Sequence, residues 1–239
     1  MLTPQNILIG MGIFAFIRSI LTRSEEAKNT TPVPSKLVGE KLSNYALLRY
    51  TPATTRRVFV YLHGFYTTGA EELDARDFRA HVRPGDVLVI PYLHRSASTG
   101  GNNAAMLQDP DYLDWLTEPG GEPWDLARTP LTVFAHSAGY AATVSLLRTL
   151  QNAARRDARY YHLFPIDVYL LDATYGYIDE FREFAESGIA RLHIYQSNRS
   201  QDTQRRGVAL EPVAQTYRVL DETHQSIVNA TLPAIFGGK

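Results

Sequence analysis

The chain has 239 residues, 44% of them hydrophobic and 21% charged, with a net charge of −1 and no cysteine. That mixture suits one sizeable globular domain with a tail. The near-zero charge gives no global field for nucleic acid or an anionic surface, and the lack of cysteine excludes disulfides, thiolate catalysis and Cys-based metal sites.

The first candidate element is an apolar run at 7–21, interrupted by Arg18. Spanning a bilayer as a helix takes about 20 apolar residues, so the run is short. No basic residue precedes it and no A-x-A site follows, which argues against a cleaved export signal. Two readings stand: a helix packed on the domain or on a partner, or an interfacial or membrane anchor. In the second, Arg18, Arg23 and Lys28 keep the following domain cytoplasmic. Residues 24–35 are polar, with Pro32 and Pro34, and read as a linker. The expected division is 1–41, apolar helix and linker, and 42–239, the main folded domain.

From residue 42 short apolar runs alternate with helical stretches. Strands are expected at 44–50, 57–62, 87–90, 131–136, 166–171, 191–195 and 216–220. Helices are expected at 71–82, 111–117, 141–157, 178–186 and 227–235, with Pro233 a possible early stop for the last. Runs such as Val87-Leu88-Val89-Ile90 do not alternate with polar residues, so both faces of the strand are buried, as in a parallel sheet covered by helices. The fold class is therefore α/β, a mostly parallel central sheet flanked by helices. Its ligand site belongs outside the carboxyl ends of the strands. The longest insertion, 94–130 with Trp115 and Trp124, reads either as a flap with an aromatic wall or as a crossover helix with a long loop.

The stretch Leu131-Thr132-Val133-Phe134-Ala135-His136-Ser137-Ala138-Gly139-Tyr140 is an apolar strand entering a serine flanked by small residues, followed by a helical pattern. That is the pattern of a nucleophile elbow, in which a tight strand-to-helix turn exposes the hydroxyl. A serine hydroxyl is a poor nucleophile and needs a base, a group orienting that base, and donors for the oxyanion. Of seven histidines, His224 follows the last strand and is the expected base. His193 lies within a strand, and the side chain of His136 is expected to point away from the serine hydroxyl. The acid belongs between serine and histidine in the chain: Asp172 ends a strand and is the first candidate, with Asp202 the alternative. The oxyanion donors are expected to be the Ala138 N–H, at the start of the new helix, and the Phe65 N–H after His63-Gly64, with Tyr66 the alternative.

Over roughly 45–236 the chain resembles the α/β-hydrolase superfamily. The resemblance rests on the strand leading into His63-Gly64, on Ala135-His136-Ser137-Ala138-Gly139, and on the order Ser137, Asp172, His224. It implies an acyl-enzyme mechanism without a cofactor, with Ser137 as nucleophile, His224 as base and Asp172 as acid. The chain departs from the family pattern twice. Ala135 replaces the first glycine of the pentad, and the acid follows the strand directly after the serine strand, where the superfamily more often has it one strand later. Only about one helix fits between Asp172 and Arg191, so no large cap is expected.

The expected function is hydrolysis of a carboxylic ester in a small-molecule acyl substrate. The alternatives are an amidase or peptidase of the same fold, and a non-catalytic binding or scaffold protein recruited to a membrane through 7–21. No metal is expected, because His63, His94 and His136 lack metal-ligand spacing. No nucleic-acid partner is expected either, since the arginines at 148–159 form no wider basic face.

Overall fold

The computed structural model describes residues 35–42, 45–51, 53–65, 67–93 and 129–237. The apolar run at 7–21, the helix expected at 111–117, nearly all of 94–130, Tyr66 and His94 lie outside them. Among the described residues no helix is long and apolar enough to cross a membrane.

In chain order the strands are β1 (Lys36–Lys41), β2 (Tyr45–Thr51), β3 (Arg57–Leu62), β4 (Asp86–Pro91), β5 (Leu131–His136), β6 (Ile166–Leu171), β7 (Ala190–Ser197) and β8 (Thr216–Leu220). They form one sheet in the order β1-β2-β4-β3-β5-β6-β7-β8. β2 runs antiparallel to both of its neighbours, and every other pair is parallel. Parallel neighbours need crossovers. These carry α1 (Gly69–Ala75) and α2 (Phe78–His81) before β4, α3 (Gly139–Arg156) before β6, α4 (Ile178–Glu186) before β7 and α5 (Gln201–Gly207) before β8. A last helix, α6 (Ile227–Phe236), follows β8. The expected α/β class is the one observed. Among the described residues no cap domain interrupts the sheet, and α4 is the helix that links β6 to β7.

Each central strand feeds two cores, because successive side chains point to opposite faces. Val58, Val60 and Leu62 of β3 join Leu146, Leu147 and Leu150 of α3 and Phe181 of α4 on one face. Phe59 and Tyr61 join Leu73 of α1, Phe78 of α2 and Leu232 and Phe236 of α6 on the other. The end of α6 is fastened to β3 as well: Phe236 stacks on Phe59 at 4.3 Å, and the Phe236 carbonyl accepts from Arg57 Nη1 at 3.2 Å. Arg57 in turn forks onto the buried Asp86 with two 2.8 Å bonds.

Beyond shifts of a residue or two at element ends, the structure departs from expectation as follows. The sheet begins at Lys36, ahead of the expected domain start at 42, because Lys36–Lys41 pairs with β2 as an edge strand. The helix expected over 71–82 is two pieces, with Arg76 in extended backbone between them (φ −108, ψ 152). The stretch after β7 holds α5 and a 3-10 turn, Val208–Val213, where no helix was expected. Finally α6 continues through Pro233 to Phe236; the missing N–H costs one bond, and burial of Ile227, Val228, Leu232 and Ile235 offsets it.

Candidate active site

β5 ends in the middle of the sheet, and the chain must turn there into α3. Ser137 makes that turn with φ 53, a left-handed conformation that ordinary residues avoid. The second glycine of the pentad is required by close approach: a Cβ on Gly139 would sit 2.1 Å from the Leu62 carbonyl oxygen of β3. The first position is less demanding. Ala135 is an ordinary strand residue paired between Leu62 and Leu170, and its methyl belongs to the core. Gly64 packs on the turn from the other side, and a Cβ there would come within 2.9 Å of Ser137 Cβ and 3.3 Å of its Oγ.

The Gly64 peptide is oriented by His63, which is buried and lies between two backbone partners. Leu93 N–H donates to His63 Nε2 at 3.1 Å, so the other nitrogen carries the proton, and Nδ1–H donates to the Gly64 carbonyl at 2.9 Å. Burial pushes the pKa of His63 down, which keeps the imidazole neutral. In a trans peptide the carbonyl and the following N–H point in opposite directions, so the Phe65 N–H is turned away from His63. On the far side of Ser137, Ala138 is the N-cap of α3, where backbone N–H groups have no partner within the helix.

His224 lies in the loop between β8 and α6, and its Nδ1–H donates to Asp172 Oδ2 at 2.6 Å. Nε2 is therefore the unprotonated nitrogen of the neutral ring. Asp172 directly follows β6, is fully buried and has φ 49. Its N–H holds the Tyr195 carbonyl at 2.8 Å. Besides His224, its carboxylate accepts from the Ser200 hydroxyl at 2.5 Å and from the Thr203 hydroxyl. Burial alone would raise its pKa; the hydrogen bonds from His224, Ser200 and Thr203 outweigh that and hold the carboxyl below the usual range. Asp202, the alternative acid, sits on α5 at 73% side-chain exposure and pairs with Arg205 at 2.7 Å.

Ser137 and His224 line the same cavity, of about 580 Å³, together with Gly64, Phe65, Arg76 and His136. His136, on that lining, is turned toward the His224 loop. Its ring packs against that of His224 at 4.6 Å, and its Nε2–H donates to the His224 backbone carbonyl at 2.7 Å. Burial, reinforced by the charge His224 can carry, pushes His136 down to about 4, so it is a neutral donor at ordinary pH. The other flank of the His224 ring meets the Tyr175 ring edge-on at 6.2 Å. His193, within β7 as expected, is partly buried and bonded to Asp167 and Thr216. Among the described residues no group of three or more His, Cys, Asp or Glu side chains converges to hold a metal ion.

No protein-family model matches this sequence, and no curated protein is significantly similar to it. Solved structures are similar in fold. An S-formylglutathione hydrolase from Staphylococcus aureus superposes with a TM-score of 0.56 at 13% identity, over 87% of this chain and 98% of its own. Dienelactone hydrolase from Anabaena variabilis gives 0.50 at 15% identity, over 85% and 95%. A fluorophosphonate-binding serine hydrolase of S. aureus, FphF, gives 0.50 at 12%, over 87% and 100%. What this chain has in common with all three is the arrangement of its strands and helices, and that arrangement is the α/β-hydrolase fold.

Proposed function

We propose that the protein is a serine hydrolase that cleaves carboxylic esters by acyl transfer. One observation carries the reading: His224, on the cavity that Ser137 lines, donates its Nδ1–H to a buried carboxylate. That bond fixes the tautomer with Nε2 free to accept a proton, which is what a serine hydroxyl needs from a base. Ser137 Oγ attacks the carbonyl carbon as its proton passes to His224 Nε2. The N–H groups of Phe65 and Ala138 stabilise the oxyanion. The imidazolium, held by Asp172, gives its proton to the leaving alcohol as the carbon–oxygen bond breaks. Water then attacks the acyl-enzyme by the same route, returning the acid and free Ser137. The names of the structural neighbours, two hydrolases and a fluorophosphonate-binding serine hydrolase, agree with this reading.

A fluorophosphonate probe tests it. The wild-type protein is expected to be labelled and Ser137→Ala is not, with hydrolysis of p-nitrophenyl acetate lost in parallel. Equal labelling of the two proteins would remove Ser137 from the role. A protein inert to both probe and acyl substrates would favour a binding function instead.

A further inference from the structure

The loop that carries His224 is held from outside itself at consecutive backbone positions. The His224 carbonyl accepts from His136 Nε2–H at 2.7 Å, and the Gln225 carbonyl accepts from Arg76 Nη1 at 2.7 Å. The two donors come from different elements: His136 ends β5, and Arg76 stands at the break between α1 and α2. Arg76 Nη2 also reaches the Gln225 side chain at 3.3 Å. Before these two positions, at the start of the loop, Ser197 Oγ of β7 donates to the Glu222 carbonyl at 2.5 Å, while the side-chain bonds of Thr223 and Ser226 are made within the loop and the start of α6.

Arg76 is itself anchored in the core. Its Nε donates to Glu72 at 2.7 Å, and Glu72 accepts from the Tyr61 hydroxyl at 3.1 Å. Tyr61 is fully buried between Phe78 and Phe134. Side-chain exposure in the Arg76–Glu72 pair is only 10% and 5%. Burying two charges costs about as much as their attraction returns, so apolar residues would stabilise the fold as well. What a buried pair adds is a fixed geometry. Here the planar fork of Arg76 turns a position in the core of the sheet into a position for the Gln225 carbonyl.

We propose that Arg76 and His136 are positioning residues, a two-point clamp that sets the place of His224 through its backbone. The proposal rests on His224 being the base of the hydrolase reading. Neither clamp residue gives or takes a proton in the reaction; each sets the distance from His224 Nε2 to Ser137 Oγ. A displacement of about 1 Å at reacting groups can cost on the order of 100-fold in rate.

The experiment compares the wild type with His136→Phe, which keeps a ring and loses the donor, and with His136→Gln, whose amide N–H can replace it. Arg76→Met is tested alone and with Glu72→Gln, the double variant leaving no unpaired charge in the core. For p-nitrophenyl acetate, kcat is expected to fall about 10- to 100-fold in His136→Phe and in the Glu72→Gln, Arg76→Met variant, with KM changed by less than about 3-fold. His136→Gln is expected to recover most of the loss. The low-field proton resonance of the His224–Asp172 bond is expected to broaden in the impaired variants and to return in His136→Gln. Folded variants that keep wild-type kcat and a sharp resonance would overturn the clamp. So would a loss in His136→Phe that His136→Gln does not repair. A wild-type protein that is neither labelled by the fluorophosphonate nor active would instead bring down the hydrolase reading, and the clamp with it.

Discussion

At the scale of single residues, the two candidates for the acid sit in opposite environments. Asp172 is buried and accepts from three donors, whereas Asp202 is exposed and paired with a surface arginine. Asp172→Asn would set an amide N–H against the His224 Nδ1–H and force the ring toward the other tautomer. The expected loss in kcat is on the order of 10⁴-fold. Asp202→Asn removes an exposed ion pair and is expected to leave kcat within about 2-fold of wild type. Steady-state kinetics on the two purified variants check both outcomes, and the reverse pattern would move the acid to Asp202. Ser137, Asp172 and His224 were legible in the sequence as reactive residues that each follow a strand, in that order. His136 and Arg76 were not. Their partners are backbone carbonyls 88 and 149 residues away, and no local pattern marks a side chain that bonds to a distant carbonyl. The restraint on the Gly64 peptide was half visible, as a histidine beside a glycine after a strand, but the tautomer came only with the Leu93 contact.

At the scale of elements, the elbow depends on how closely α3 approaches β3. Gly139→Ala would drive a methyl onto the Leu62 carbonyl, a backbone atom that cannot swing aside, so a loss of about 3 kcal/mol or outright failure to fold is expected. Gly188 provides the contrast, with φ +73 and nothing within 4 Å of where a Cβ would stand; Gly188→Ala is expected to cost only about 1 kcal/mol, from backbone conformation alone. Urea unfolding midpoints of the two variants separate steric from conformational cost, and similar losses would contradict the close approach of α3. The same physics explains which elements could be read in advance. β4 is buried along its whole length and has an unbroken apolar run. β1, with sequence KLVGEK, is an edge strand whose charged residues hide its pairing. α5 is a seven-residue helix of mostly polar residues, with only Thr203 and Gly207 buried, so it has no apolar stripe to detect. The continuous helix expected over 71–82 breaks at Arg76, the residue that reaches Gln225.

At the scale of the whole molecule, the burial and pairing of titratable groups make stability depend on pH in two stages. His136 is pushed from 6.5 to about 4 by burial and by its neighbour His224, with Glu72 and Arg76 acting on it in opposite senses. His63 is lowered in the same direction, also by burial. A histidine whose folded pKa lies below its unfolded one stays neutral in the native state while the unfolded chain takes up a proton. Stability therefore falls as pH drops from about 6.5 to about 4, and for His136 alone the fall amounts to about 3 kcal/mol. The carboxylates respond lower down. Asp172 and Glu72 are held below their ordinary values against the cost of burial, and Asp167 is held at about 2 by His193 and Arg191. Their contributions are complete above the unfolded pKa and disappear as pH falls through the folded one. Urea midpoints from pH 8 to pH 3 are expected to be level above about 7, to decline from about 6.5 to 4, and to fall more steeply below that. In His136→Phe the upper decline is expected to become shallower, with His63 carrying what is left of it, while the lower one remains because the carboxylates still titrate. An unchanged upper slope in this variant would mean that His136 is not the buried imidazole that the acid limb of stability depends on.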